Sequence, residues 1–316
     1  MQIRFGIVAV GTALIGIVLT AASYAAESLE ESSWQSLTDE PSRQILFQEL
    51  IKKDVEIPTI ESFALPKLFV FPDDARWDSI EKHSRNNSIF GLDVSHYTDP
   101  DIRFDLLSQQ NVSFVYVKAT QGLKYKDDKF HVFWAKLGAL GANVKVRRGA
   151  YHFLSSSAPG SAQADSFIGY VKLQGGFNSD DLPPVVDLEW DRTSTNPDEW
   201  IGRGADYIVK NALDCLARIK ELTGRTPILY TATSWWTTKT VPIERLDEFR
   251  DYPLWIADYN PKRKLSEHPA VPSGVTPALW QFADDSTLTL GYKGPIDTSV
   301  FYGSEDDFER AFGPSK

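Results

Sequence analysis

The sequence predicts an α/β fold, a modified TIM-like barrel of eight strands in which helices are missing from the last part. Two observations lead to this prediction. From residue 89 onward, eight short apolar runs follow one another, and segments with helical periodicity separate the first five of them. Alternating strands and helices are typical of parallel pairing, and eight such strands can close into a barrel.

The predicted strands, in chain order, are residues 89–95, 113–119, 148–153, 184–189, 227–231, 253–257, 278–282 and 295–300. The predicted helices between the first five strands are residues 104–109, 129–140, 162–173 and 199–222. The later connections differ, because residues 262–277 contain three prolines and residues 283–294 are few and rich in turn formers. We therefore expect a single barrel domain over residues 89–316.

Residues 1–26 have the organisation of a secretory signal peptide. Arg4 precedes an apolar stretch over residues 5–22, and small residues up to Ala26 follow it. We expect cleavage after Ala25 or Ala26 and export to the periplasm or the exterior. The apolar stretch is close to the shortest length that spans a membrane, so an uncleaved N-terminal anchor is the alternative. Residues 27–88 form a polar N-terminal extension that either lies against the barrel or spaces it.

Composition excludes some partners. The formal net charge is −10 over 316 residues, and no basic cluster offsets it, so we expect no nucleic acid partner. Contact with a membrane is expected only if the N-terminal segment is an uncleaved anchor. The single cysteine, Cys215, forms no intramolecular disulfide, and it lies among apolar residues at helical spacing, which favours a buried core position. We expect a monomer without a cofactor or a bound metal.

The segment LPPVVDLEW, residues 182–190, carries the most informative pair of side chains. Asp187 and Glu189 lie two residues apart at the end of a predicted strand, so they project from the same face with Cα atoms ~6.6 Å apart. Crowded carboxylates disfavour double ionisation, which keeps one of them protonated as a general acid. Glycosidases need such a pair. The alternative is that both acids cap the next segment or form ion pairs.

Two further acids sharpen this hypothesis. Asp93 falls in the first predicted strand and Asp297 in the eighth, and these strands are neighbours in a closed barrel. Four carboxylates can therefore converge on one mouth, where they indicate an acid/base site or a metal site. A calcium or magnesium site is the main chemical alternative, whereas a zinc site suits a chain with five His and one Cys poorly.

Eight motifs follow one another along the chain: GLDVSHYTDP (91–100), FVYVKATQG (114–122), RGAYHF (148–153), PVVDLEW (184–190), PILYTA (227–232), PLWIADY (253–259), ALWQFA (278–283) and IDTSVFYG (296–303). In this order they resemble the glycoside hydrolase family 25 lysozymes, or muramidases, from about residue 90 to residue 308. The resemblance implies a barrel of eight strands with about five helices and a peptidoglycan substrate. It also implies hydrolysis of the β-1,4 bond after N-acetylmuramic acid.

Residue by residue, the resemblance makes Glu189 the general acid, and Asp187 the group that stabilises the positive centre or orients the substrate acetamido group. Asp93 and Asp297 match the other two acidic site positions of the family. Positions that line the family's groove are matched by Tyr151, Lys118, Tyr230, Trp255, Tyr259 and Gln281. The pattern differs at Gln121, where many relatives have Glu, so substrate preference or pH optimum is expected to differ.

Structural roles compete with these assignments. Tyr151, Tyr230, Trp255 and Trp280 lie in strands and could fill the barrel. His96 and His152 are expected to be structural hydrogen-bonding residues. Lys118 lies in an apolar strand and needs a buried partner, for which an acid of the cluster is the natural candidate.

Two other functions remain open at the level of sequence. One is a non-catalytic protein that binds the cell wall, although four retained acids argue against it. The other is a hydrolase of another N-acetylhexosamine polymer such as chitin, which shares the linkage and the acetamido groups. For the reaction itself, the placement of Asp187 beside Glu189 favours attack by the substrate acetamido group over a protein nucleophile.

Overall fold

The computed structural model describes residues 65–313, except 67, 142, 194, 238–239, 261–266 and 272–274. The predicted signal peptide and residues 27–64 of the predicted extension lie outside these residues, so their roles stay predictions. Within the described part of the chain, no helix is both long and apolar enough to cross a membrane.

Eight strands form a closed barrel, one for each predicted strand, and confirm the α/β barrel fold. We number them in chain order: β1 (Ser88–Val94), β2 (Val112–Gln121), β3 (Arg147–Phe153), β4 (Val185–Leu188), β5 (Ile228–Ala232), β6 (Leu254–Ala257), β7 (Leu279–Leu288) and β8 (Ile296–Tyr302). Strands β1 to β7 pair in parallel, each with the next. Strand β8 is antiparallel to both β7 and β1, and its two pairings close the barrel.

Four helices of eight or more residues lie in the described chain: α1 (Phe130–Gly138), α2 (Gly160–Leu173), α3 (Ala205–Thr223) and α4 (Glu305–Phe312). Asp73–Arg76 and Thr233–Thr237 form short helices, and Phe104–Gln110 and Ile243–Phe249 are 3-10 helices. The first predicted helix is thus of the tighter form that short connections often take. The remaining strands, all of two residues, are Val70–Phe71, Trp77–Asp78, His83–Ser84 and Tyr125–Lys126.

The reversed direction of β8 decides where Asp297 lies. In a parallel strand, a residue so close to the start would be at the opposite mouth from the end of β1. The connection from β7 to β8 is short, however, and such connections join antiparallel strands. Asp297 therefore pairs with Asp93, while at the other end of the barrel Tyr302 pairs with Ser88.

A segment before β1, the N-terminal strap (residues 65–87), lies against the outer wall of the barrel. Its strand Val70–Phe71 pairs in parallel with the end of β7. Phe69 and Phe71 are buried against Phe90 and Phe282, with ring centroids 5.0 to 6.2 Å apart. Arg85 of the strap forms ion pairs with Asp78 and with Glu267 of the connection between β6 and β7. The part of the predicted extension that is described here thus packs on the barrel.

Aromatic rings fill the barrel interior, and glycines on neighbouring strands make room for them. The ring of Tyr116 on β2 lies 5.0 Å from that of Trp255 on β6. A Cβ atom at Gly149 on β3 would lie 2.1 Å from the Tyr116 ring. The absence of a side chain at residue 149 therefore allows the tyrosine to occupy the centre.

Candidate active site

Carboxylates from three strands reach the mouth at the C-terminal end of β1 and β4. Asp93 is near the end of β1, Asp187 is in β4, and Glu189 follows β4 by one residue. All three are buried, whereas Asp297 near the start of β8 is half-buried. The antiparallel strand thus supplies its acid to the same mouth as the parallel strands.

Two adjoining cavities open at this mouth. The smaller has a volume of about 10 Å³, room for about one water molecule, and is lined by Asp93, Tyr151, Val185, Asp187, Tyr230 and Trp255. The larger is an open groove of about 240 Å³, lined by Asp93, Val94, Ser95, Tyr97, Thr98, Tyr151, Asp284, Tyr292, Pro295, Ile296 and Asp297. Asp93 and Tyr151 line both, so the groove and the small cavity lie side by side. Glu189 is not among the residues that line either cavity.

Gln281 on β7 connects one acid to two tyrosines. Its amide Nε2 donates to Asp93 Oδ2 at 2.7 Å. Its Oε1 accepts from the hydroxyl of Tyr230 at 2.7 Å and from that of Tyr259 at 2.5 Å. Since both hydroxyls donate to the same oxygen, the amide group must face Asp93 with its N–H donors. Gln281 therefore links Asp93 to Tyr230 and Tyr259 through hydrogen bonds.

Four aromatic residues were expected either to fill the barrel or to line the groove, and the structure separates them. Trp280 is a buried core residue whose indole donates to the carbonyl oxygen of Asp258 at 3.0 Å. Tyr151, Tyr230 and Trp255 line the small cavity. Trp255 does both, since its ring packs edge-on against Tyr230 at 5.1 Å and its indole donates to Ser299 Oγ at 3.0 Å.

Lys118 is buried beside Tyr151, with which it pairs across β2 and β3. Its Nζ donates to Gln121 Oε1 at 3.0 Å and lies 4.9 Å from the centre of the Phe153 ring. The residue that departs from the family pattern is therefore a direct neighbour of the lysine. An ion pair between Lys118 and an acid of the cluster stays a prediction.

Both histidines named in the sequence make structural contacts. His152 is fully buried between Thr120 Oγ1, at 2.7 Å, and Gln163 Oε1, at 3.2 Å. Burial lowers the pKa of His152 to about 3, so the imidazole is neutral near neutral pH. His96 Nδ1 lies 2.9 Å from Asp127 Oδ2. Cys215 is a buried core residue of α3, where burial raises the pKa of its thiol.

Sequence reasoning missed several residues that line the groove, among them Tyr97, Asp284 and Tyr292. Tyr97 lies within the motif GLDVSHYTDP, just past the end of β1, where barrel enzymes place site residues. Asp284 and Tyr292 lie in a segment that the sequence marks only as rich in turns. No periodic pattern indicates which of its side chains face the groove.

The alternative of a calcium or magnesium site was considered against the described residues. Among them, no group of three or more His, Cys, Asp or Glu side chains is placed to hold a metal ion.

Comparison with known proteins gives a consistent result. A family model described as "Glycosyl hydrolases family 25" matches residues 92–289. Lysozyme M1 of Streptomyces globisporus is 32% identical over 230 residues, which are 69% of each chain. An N,O-diacetylmuramidase of Arthroderma benhamiae is 30% identical over 234 residues, 73% of this chain and 89% of that protein.

Solved structures agree with these sequence matches. A family 25 glycosyl hydrolase from Bacillus anthracis superposes with a TM-score of 0.60 at 26% identity, covering 72% of this chain and 95% of that one. A bacterial lysozyme from Streptomyces coelicolor gives a TM-score of 0.57 at 30% identity, covering 69% and 94%. Both matches span nearly the whole of the solved chain and most of this one.

Proposed function

Because the chain belongs to glycosyl hydrolase family 25, and is therefore a glycoside hydrolase of the lysozyme type, we propose that it cleaves peptidoglycan at the β-1,4 bond between N-acetylmuramic acid and N-acetylglucosamine. The observation that carries this proposal is the placement of Asp93, Asp187 and Asp297 around two adjoining cavities of one mouth, with Glu189 two residues beyond Asp187. Relatives named lysozyme and muramidase support the choice of polymer.

In the proposed reaction, Glu189 protonates the glycosidic oxygen as the bond to the sugar carbon breaks. Asp187 orients the acetamido group, whose carbonyl oxygen attacks the same carbon and forms a cyclic intermediate. Water, deprotonated by Glu189, then opens the ring and restores the acetamide. The position of Asp187 in the wall of the small cavity supports this route, because it places the carboxylate at the mouth, two residues before Glu189.

The remaining residues bind and orient. Tyr151, Tyr230 and Trp255 offer aromatic surfaces to the sugar at the small cavity, and Lys118 and Tyr259 stand beside them. Gln281 holds Asp93, which lies level with Asp297 across β1 and β8. We propose that these two acids bind substrate hydroxyls or the attacking water.

The test is mass spectrometry of soluble fragments that the protein releases from purified, borohydride-reduced peptidoglycan. We expect new reducible N-acetylmuramic acid ends from the wild type and none from Glu189→Gln. The matched control is Glu221→Gln, the same substitution at an exposed position of α3, which should release fragments like the wild type.

Each other outcome contradicts a named part of the proposal. New reducible N-acetylglucosamine ends would show that the protein cleaves the other β-1,4 bond of the glycan strand. Equal release by Glu189→Gln would contradict the assignment of Glu189 as the general acid. Wall binding without release would support a binding protein instead. Faster cleavage of chitin oligomers than of peptidoglycan would move the substrate to another N-acetylhexosamine polymer.

We also propose that the protein acts outside the cytoplasm as a monomer, with peptidoglycan glycan strands as its partner. The predicted signal peptide supports export. Mass determination of the protein recovered from the periplasm or the medium tests it, since cleavage after Ala25 or Ala26 fixes the mature mass. A full-length mass in the membrane fraction would show an anchor instead.

A further inference from the structure

The proposed general acid lies just outside the sheet. The paired residues of β4 end at Leu188, which lies opposite Thr231 of β5. The carbonyl oxygen of Asp187 still accepts from the backbone N–H of Leu154 at 2.9 Å, a bond that continues the pairing with β3. For Glu189, the bond to its carbonyl oxygen comes from a side chain, the indole Nε1 of Trp200, at 3.0 Å.

Trp200 is itself held by a buried carboxylate. Asp198 Oδ1 accepts from the backbone N–H groups of Trp200 and Asp191, each at 3.1 Å. Its Oδ2 accepts from the indole of Trp235 at 3.0 Å. The Asp198 carboxylate thus links Asp191, two residues after Glu189, to the loop that carries Trp200 and to the short helix after β5.

A second indole supports the neighbouring residue. Trp236 Nε1 donates to Thr231 Oγ1 at 3.0 Å, and that hydroxyl donates to the carbonyl oxygen of Leu188 at 2.6 Å. Trp200, Trp235 and Trp236 are all buried, and none of them lines the cavities at the mouth. Trp200 bonds directly to Glu189, and Trp235 and Trp236 bond to Asp198 and Thr231, so the three tryptophans hold the chain around Glu189 without lining either cavity.

We propose that Trp200, held by Asp198, is the positioning residue of the general acid: its indole N–H fixes the backbone of Glu189 and thereby sets how closely the carboxyl approaches the glycosidic oxygen. The inference rests on the proposed function. It separates Glu189 from Asp187, because Asp187 keeps its backbone hydrogen bond to Leu154 when the indole is lost. Proton donation should therefore suffer more than orientation of the acetamido group.

Trp200→Phe tests this proposal because it removes the N–H and keeps most of the ring. The assay uses two substrates, peptidoglycan and a dinitrophenyl β-glycoside of the same sugar, whose phenolate leaves without being protonated. On peptidoglycan we expect kcat to fall roughly tenfold or more with KM nearly unchanged, since small displacements of a catalytic group are costly. On the dinitrophenyl glycoside we expect kcat/KM, which reports only the steps up to departure of the phenolate, within about twofold of the wild type, because general acid catalysis contributes little to that step.

The chain offers a matched control in Trp134. It is buried on α1, and its Nε1 has no hydrogen-bond partner in the described structure, so Trp134→Phe removes the same atoms without breaking a bond to the site. Trp134→Phe should cleave both substrates as fast as the wild type does. Should Trp200→Phe fail to fold, as judged by circular dichroism and thermal unfolding, Asp198→Asn gives the same test through the residue that holds the loop.

The outcomes are distinguishable. An equal loss of kcat/KM on both substrates, or no loss on either, overturns the positioning role. A selective loss on peptidoglycan supports it. If the wild type cleaves neither substrate, the proposed function itself fails, and this result is independent of the behaviour of the variants.

Discussion

At the scale of single residues, Gln281 is a neutral side chain that organises charged and hydroxyl groups. It donates to Asp93 and accepts from Tyr230 and Tyr259, and it is buried. Substitution would leave three polar groups without this partner at once. The residue therefore matters for stability as well as for the orientation of Asp93.

We expect Gln281→Leu to lower the free energy of unfolding by about 2 kcal/mol, because removing one partner of a buried hydrogen bond leaves the other unsatisfied. Activity on peptidoglycan should fall as Asp93 loses its fixed orientation. Urea unfolding and fragment release measure the two effects. Gln281→Glu keeps the acceptor for both tyrosines but places a second carboxylate against Asp93, so it should lose activity too. Full activity in both variants would contradict the role of Gln281.

His152 makes stability depend on pH. Its pKa is about 3 in the folded protein and about 6.5 in an unfolded chain, so the unfolded state binds more protons below pH 6.5. The contribution of the neutral imidazole is thus complete above pH 6.5 and is lost as pH falls towards 3. The slope is about 1.4 kcal/mol per pH unit.

Urea unfolding at pH 6.5, 5.5 and 4.5 measures this dependence. The variant His152→Gln cannot titrate and should lose less stability over the same range than the wild type. Parallel curves for the two proteins would show that His152 does not cause the dependence.

At the scale of elements, β3 has a glycine at the position where the neighbouring strand β2 has a large aromatic side chain. A Cβ at Gly149 would collide with Tyr116, which is packed against Trp255 and cannot move freely. We expect Gly149→Ala to destabilise the protein by about 1 to 3 kcal/mol through overpacking. The control is Gly169→Ala in α2, where no heavy atom lies within 4 Å of the added methyl and a gain of up to about 1 kcal/mol is expected. Chemical denaturation of both variants compares them, and equal stability would refute the packing argument.

The sequence predicts strands well because apolar runs between turn residues mark them directly. It places the end of β7 at residue 282, whereas the strand continues to Leu288. The continuation contains Asp284 and Asp285 and is held by pairing with β8 and with the strap, so hydrophobicity does not reveal it. The direction of β8 depends on pairing, which no single segment encodes. The motifs predicted the acids, but the indole hydrogen bonds of Trp200, Trp235 and Trp236 link residues 5 to 37 positions apart and have no sequence pattern.

At the scale of the whole molecule, the N-terminal strap and the barrel share one core. Phe71 is fully buried, while Leu68 of the same strap is half exposed. We expect Phe71→Ala to cost about 3 to 5 kcal/mol, the usual range for a buried phenylalanine. Leu68→Ala should cost far less. Thermal unfolding should show a single transition that shifts down for Phe71→Ala; a separate early transition would mean that the strap unfolds on its own.

The antiparallel last strand also determines at which end of the barrel the chain enters and leaves. Tyr302 ends beside Ser88, and the backbone N–H of Gly303 donates to the carbonyl oxygen of Asn87, so the chain enters and leaves the barrel at one point. That point is at the base, a full strand length from the mouth. A label, a surface or a second domain joined after α4 would therefore leave the groove facing away and open to a polymer as long as a glycan strand.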